Sequence, residues 1–355
     1  MILPESRSLE WIRNTAEKNH AANLILVEKV IRAFSLLEAL ARSGCPFIFK
    51  GGSSLMLHFG SSRRLSIDID IICPPGTDVE SYWEKYAEEY GFTLVEQMER
   101  TYRSDVPKTH AKCHYQVSYR TNTDVDTILL DVLMEENNYQ TVQSLPISSP
   151  FLKTAGEDVY VDVPCTADLL GDKLTAFAPH TTGIPFYKGE KNCSMEIMKQ
   201  MYDIASLFDA TDDMSNTYET YRRLAEIEMD YRRLDMRDIR LVAEDTVMSA
   251  LCISTNGSGN EEDFRFYADG ITRVRNFIHS ERYNMVGAVR DASKAAYAAA
   301  CALKGVARPE KYEKGVLGQL ASSKIEGSAF SRLNILKSQI PEAFFYWLKT
   351  SELLK

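Results

Sequence analysis

A chain of 355 residues that is 45% hydrophobic, 10% aromatic and 26% charged has the composition of an ordinary globular protein with room for two domains, which excludes disorder, a collagen repeat and a disulfide scaffold. Its 50 Asp and Glu outnumber 41 Lys and Arg, giving a net charge of −9. That balance speaks against a globally basic nucleic-acid binder, since phosphate affinity rests on clustered Lys and Arg.

The amino-terminal stretch MILPESRSLEWIRNTAEKNH is charged throughout and lacks the apolar core of a signal peptide. No later run is long and apolar enough to span a bilayer. Seven cysteines stand singly, without a C-x-x-C pair, so the expected setting is a reducing cytoplasm with thiols used as core filler. Residues 8–42 are apolar at helical spacing and read as one or two helices, stopped by Gly44-Cys45-Pro46. Phe47-Ile48-Phe49 reads as a short strand, Lys50-Gly51-Gly52-Ser53-Ser54 as a glycine turn, and Leu55, Met56 and Phe59 as a short helix up to Gly60. Ser66-Ile67-Asp68-Ile69-Asp70-Ile71-Ile72 alternates strictly and predicts a strand ended by Pro74-Pro75. A helix over 79–90 and strands at 92–96, 113–119, 127–134 and 158–163 follow. From Thr166 onward the pattern is helices separated by loops, with the clearest break at 256–260. The expected organisation is therefore a mixed α/β domain over 1–160 and a helical domain over 161–355, without internal repeats.

Asp68 and Asp70, two residues apart on a strand, project from one face a few ångströms apart, and their repulsion is relieved by a cation between them. A bare D-x-D is more often the polar side of a half-exposed strand. Here, however, a Gly-Gly-Ser turn lies just upstream and opens a helix, whose free backbone N–H groups suit an anion such as a polyphosphate. A third carboxylate, Asp131, interrupts the apolar run Thr127-Ile128-Leu129-Leu130-Asp131-Val132-Leu133-Met134. Burying it unpaired is expensive, so it meets a metal, a cation or a strand end. Three convergent carboxylates and a phosphate-cradling turn are what two-metal phosphoryl or nucleotidyl transfer requires.

These residues resemble a known family. The block Lys50-Gly51-Gly52-Ser53-Ser54-Leu55 followed by Arg64-Leu65-Ser66-Ile67-Asp68-Ile69-Asp70 is similar to the first motif of the AbiEii/AbiGii-type nucleotidyltransferases, toxins of type IV toxin–antitoxin and abortive-infection systems within the polymerase-beta-like nucleotidyltransferase superfamily. The resemblance continues through Leu169-Leu170-Gly171-Asp172-Lys173-Leu174 and Lys199-Gln200-Met201-Tyr202-Asp203-Ile204, and spans roughly residues 20–210. It implies an α+β fold, with a mixed-sheet nucleotidyltransferase domain followed by an α-helical domain. It also implies an NTP donor, Mg2+ or Mn2+ at Asp68, Asp70 and Asp131, and triphosphate held at Gly51, Gly52, Ser53 and Ser54. Lys173 would contact the nucleotide's phosphates, and Lys199 and Asp203 would complete the site. Many members carry an acidic residue where this chain has Gln200. A snorkelling lysine or a salt bridge for Lys173, and a surface i, i+4 ion pair for Lys199 and Asp203, are the plainer accounts. Lys188 and Lys191 match a basic loop in one branch of the family.

The expected function is metal-dependent transfer of a nucleoside monophosphate from NTP to an acceptor. The tRNA 3′ end is the acceptor that relatives suggest, and an antitoxin encoded nearby is the expected partner; neither membrane nor DNA is expected. A small-molecule transferase of the aminoglycoside-modifying kind, or a non-catalytic nucleotide- or partner-binding module, are the alternatives. Beyond residue 210, Arg and Tyr recur (Tyr218, Tyr221, Arg222, Arg223, Tyr231, Arg232, Arg237), but interleaved acids such as Glu219, Glu226 and Asp235 favour a solvated helical face over an RNA-binding wall.

Overall fold

The computed structural model describes every residue except 20–21, 61–62, 99–105, 120–123, 235–237 and 328–329. Asp235 and Arg237 lie outside the described residues. The chain divides into two compact units, Met1–Cys165 with Asn276–Glu281, and Thr166–Arg275 with Arg282–Lys355. The sequence boundary at 160 falls just before the first division, and the return of six residues from the second half of the chain carries no local sequence signal.

In the first unit, α1 (Leu9–Lys18) begins at Ser8, whose hydroxyl accepts from the Trp11 amide, and α2 (Leu24–Ser43) begins at Asn23, whose carboxamide accepts from Ile25 and Leu26. Such caps satisfy the orphan N–H groups of a helix start. Gly44, at φ +80°, ends α2 in the left-handed conformation. The chain then forms β1 (Ile48–Lys50), α3 (Gly51–His58), β2 (Ile69–Cys73), α4 (Val79–Ala87), β3 (Phe92–Met98), β4 (Lys108–Gln116) and β5 (Val125–Met134). The five strands make one mixed sheet in the order β1-β2-β5-β4-β3, with β2 and β5 parallel and the other pairs antiparallel. A separate hairpin pairs β6 (Val142–Pro146) with β7 (Tyr160–Pro164).

The period-2 geometry of strands sorts the sheet into two faces. Phe49, Ile69, Ile71, Cys113, Ile128, Leu130 and Val132 are buried in one core with Val27, Ile31, Phe34 and Leu37 of α2. Their alternates Lys50, Asp70, His110 and Asp131 lie on the opposite face. Several strand limits differ from the sequence expectation, and some strands were not expected at all. β2 starts at Ile69 rather than Ser66, because β1 is only three residues long: Lys50 pairs with Asp70, and at Gly51 the chain turns into α3, leaving 66–68 no ladder partner there. β4 starts at Lys108 rather than 113, its first half being polar on the non-core face. β6, half-exposed and ending in proline, has too little apolar periodicity to be foreseen.

The second unit is helical. It contains α5 (Thr166–Ala176), the small hairpin β8 (Tyr187–Lys188) and β9 (Lys191–Asn192), then α6 (Ser194–Ala210), α7 (Ser215–Tyr231), α8 (Ile239–Ser254), α9 (Glu261–Val274) and α10 (Met285–Lys304). Two single-turn helices, α11 (Leu317–Leu320) and α12 (Leu336–Gln339), precede α13 (Pro341–Leu353). The alanine-rich α10 is its central element, packing against α6, α8 and α13 with Ala292, Ala295, Ala296 and Ala299 fully buried. Small side chains there let the surrounding helices approach closely. No described helix is long and apolar enough to cross a membrane.

Candidate active site

A charged row crosses the non-core face of the sheet. Lys50 is registered opposite Asp70, Asp70 opposite Asp131 on the parallel β5, and Asp131 opposite His110 on β4. Neighbouring strands are about 4.8 Å apart, so two matched carboxylates repel unless cations are near. The cation on Asp131 comes from β4, where Lys108 Nζ lies 2.5 Å from Oδ2, and the Nδ1 side of the His110 ring faces Oδ1. Burial pushes the Asp131 carboxyl up, yet the His110 contact and the Lys108 charge together hold it below its ordinary range.

The glycine pair is explained by close approach as much as by turning. Gly51 has φ +76°, and a Cβ there would stand 2.2 Å from Asp70 Oδ2. A Cβ on Gly52 would stand 2.4 Å from Arg64 Nη2 and 2.8 Å from Ser66 Oγ. The Asp70 carboxylate and the Arg64 guanidinium therefore both lie against the first turn of α3. The hydroxyls of Ser53 and Ser54 are buried and donate to the carbonyls of Asp68 (2.5 Å) and Gly51 (2.8 Å). These two bonds brace the motif from within, and the first-turn backbone N–H groups of α3 are of the kind that suit an anion. The Ser53 bond also gives the extended approach to Asp68 the partner that β1 does not supply.

In the second unit, Lys173 of α5 emerges from the stripe formed by Leu169, Leu170, Leu174 and Phe177, all fully buried. Its ammonium lies 3.2 Å from Asp203 Oδ2 and donates to Gln200 Oε1 at 2.8 Å, both on α6. Lys173 and Asp203 are 5% and 1% exposed, so this is a buried pair and not a surface one. Asp203 thus pairs with α5, whereas the surface i, i+4 account would have tied it to Lys199. Gln200 supplies a neutral acceptor to the same ammonium. Lys199 is half-buried and bears on Glu196, which Lys191 pairs with at 2.8 Å; Lys188 is exposed on the hairpin. Further on, Arg222 pairs with Glu219 and Glu226, Arg232 with Glu228, and Tyr221 is wholly buried, which is the pattern of solvated ion-paired faces.

The expected three-carboxylate metal centre fits these residues only in part. Mg2+ binds through one or two carboxylates together with substrate phosphates, and Asp68 and Asp70 beside the α3 turn match that donor set. Asp131 differs, since one of its oxygens pairs with Lys108 and the other faces the His110 ring. Among the described residues no group of three or more His, Cys, Asp and Glu is arranged to hold a metal ion. Lys108, His110 and the placement of Arg64 were not foreseen. Their signal was present in Lys108-Thr109-His110-Ala111-Lys112-Cys113-His114, basic at every second position, which is one face of a strand.

No curated protein matches the chain. A solved crystal structure described as an inferred nucleotidyltransferase from H. pylori is similar at 13% identity and a TM-score of 0.42, covering 78% of this chain and 93% of that one, a likeness too distant to carry inference. The family model for the nucleotidyl transferase AbiEii toxin of type IV toxin–antitoxin systems matches residues 35–275, well over half the chain and inclusive of the glycine turn, the carboxylate row and the Lys173–Asp203 pair. The chain belongs to the AbiEii nucleotidyltransferase toxin family.

Proposed function

We propose that this protein is a metal-dependent nucleotidyltransferase that moves a nucleoside monophosphate from an NTP to an acceptor hydroxyl, as the toxin of a type IV pair with a cognate antitoxin. The observation that carries the reading is the meeting of Asp70 with the Gly51-Gly52 turn at the start of α3, beside Asp131 in register on the next strand. In such a transfer the acceptor oxygen forms a bond to the α-phosphorus while the bond to the departing pyrophosphate breaks. The α3 backbone amides hold the triphosphate, and Asp68 and Asp70 would hold Mg2+ or Mn2+. The ion, when bound, neutralises phosphate charge and lowers the pKa of an attacking hydroxyl. Lys108, paired with Asp131 on the non-core face, offsets part of the carboxylate charge that a polyanionic donor would meet there. Lys173, fixed by Asp203 and Gln200, has the role the family resemblance gives it, a point charge toward phosphate. The tRNA 3′ end is the proposed acceptor.

The test is incubation of the purified chain with each labelled NTP, Mg2+ and total RNA, with a panel of aminoglycosides in parallel. Label should enter RNA, and disappear with EDTA, Asp68→Ala or Asp70→Ala. Label on an aminoglycoside alone would transfer the reading to a small-molecule acceptor, and no transfer to any acceptor would refute it.

A further inference from the structure

The chain leaves the helical unit after Arg275 and re-enters it at Arg282; the six residues between belong to the first unit. They lie directly on the segment that precedes the carboxylate pair. The Leu65 amide donates to the Phe277 carbonyl at 2.7 Å, Arg64 and Ile278 form an antiparallel bridge, and Ser280 Oγ donates to the Arg63 carbonyl at 2.8 Å. Ile278 is buried, Phe277 packs on the core of that unit, and the His279 ring stands edge-on to Phe151 at 6.0 Å, so the contact is anchored at successive positions.

What this contact holds is the motif itself. Arg64 is buried, donates to the Leu65 carbonyl at 3.1 Å, and reaches across to Gly52, where its guanidinium occupies the space of a missing side chain. Residues 66–68 run between two fixed points, the pairing of 64–65 with Phe277 and Ile278 and the Ser53 bond to the Asp68 carbonyl, so what holds 63–65 sets one end of that approach. The family match ends at residue 275, one residue before this segment begins.

We propose that Asn276–Glu281 is a positioning strap for the nucleotide site: by pairing with residues 63–65 it sets Arg64 against Gly52 and aims the approach to Asp68 and Asp70. The inference rests on the nucleotidyltransferase reading. Ile278 and Ser280 are its positioning residues, acting through Arg64 and Leu65 without touching substrate.

The experiment uses the full chain and inorganic tripolyphosphate as probe, with binding measured by calorimetry and amide exchange measured on peptides covering 63–70 and 125–134. Ile278→Asp, which expels the strap, should speed exchange across 63–70 and leave 125–134 protected. It should weaken tripolyphosphate binding about tenfold or more, the effect of losing one well-placed hydrogen bond to a charged group. Ile278→Val should behave as wild type, and Ser280→Ala should shift both readouts in the same direction by less, which keeps the test open if the Asp variant fails to fold. Faster exchange at 63–70 with unchanged binding would overturn the proposal, as would unchanged exchange in both Ile278→Asp and Ser280→Ala. If wild type binds no tripolyphosphate while the exchange response holds, the nucleotidyltransferase reading fails and the strap's role falls with it.

Discussion

Substituting Gly51 by Ala tests whether Asp70 and the glycine turn form one unit. An L side chain at φ +76° costs roughly 1–2 kcal/mol. The new Cβ would also meet Asp70 Oδ2 at 2.2 Å, Cγ at 2.8 Å and Cβ at 2.9 Å, and relieving that overlap in a packed site costs about 1–3 kcal/mol more. Gly51→Ala alone should therefore lose about 2–5 kcal/mol. Asp70→Ala removes the two closest of the three atoms and keeps the third, so in the double variant most of the overlap disappears while the backbone strain stays. The double-mutant cycle should show about 1–2 kcal/mol of favourable coupling. Urea unfolding followed by tryptophan fluorescence measures it, in a Trp347→Phe background that leaves Trp11 and Trp83 as reporters of the first unit. Additivity within about 0.5 kcal/mol would show that the Asp70 carboxylate does not occupy the Gly51 space and would refute the close-approach account.

Two further outcomes are expected in the helical unit. Lys173→Met should destabilise it by about 3–5 kcal/mol, whereas Lys173→Met with Asp203→Leu should recover most of that loss, because an apolar pair replaces a buried ion pair more cheaply than half of one does; equal loss in the single and double variants in urea unfolding would contradict it. Lys311 lies against the Phe208 ring at 3.5 Å, and burial lowers its ammonium from the ordinary 10.5 to about 8, with Asp209 and Asp212 opposing the shift. Its folded pKa is below the unfolded one, so the native state carries the cost of the buried charge in full below pH 8 and is relieved as pH rises from about 8 toward 10.5. The melting temperature of Lys311→Met relative to wild type should accordingly fall across that window, and a constant difference from pH 6 to 10 would exclude the effect.

Which parts of the site were legible follows from how far apart in sequence their determinants lie. The Asp68–Asp70 alternation, the glycine turn and the Lys173 helix are each written in fewer than a dozen consecutive residues, where period and punctuation act locally. The family resemblance carried AbiEii membership, which the family match shows, and the α+β architecture is that of the structure. The partners of Asp131 were hidden for a different reason. Its partners Lys108 and His110 sit some twenty residues upstream on a strand whose first half reads as polar, and they reach it only because β4 pairs with β5 in one register; a slip of one residue would turn both to the core face. Hence a buried-looking Asp predicts a cation nearby without naming it, and Lys108 of β4 is one that the sequence did not announce. The strap is the extreme case, more than two hundred residues from the segment it pairs with and built from ordinary backbone hydrogen bonds. Backbone pairing carries almost no side-chain signature, so the helical half of the chain, unremarkable by motif beyond residue 210, nonetheless supplies residues that set the geometry of the amino-terminal motif.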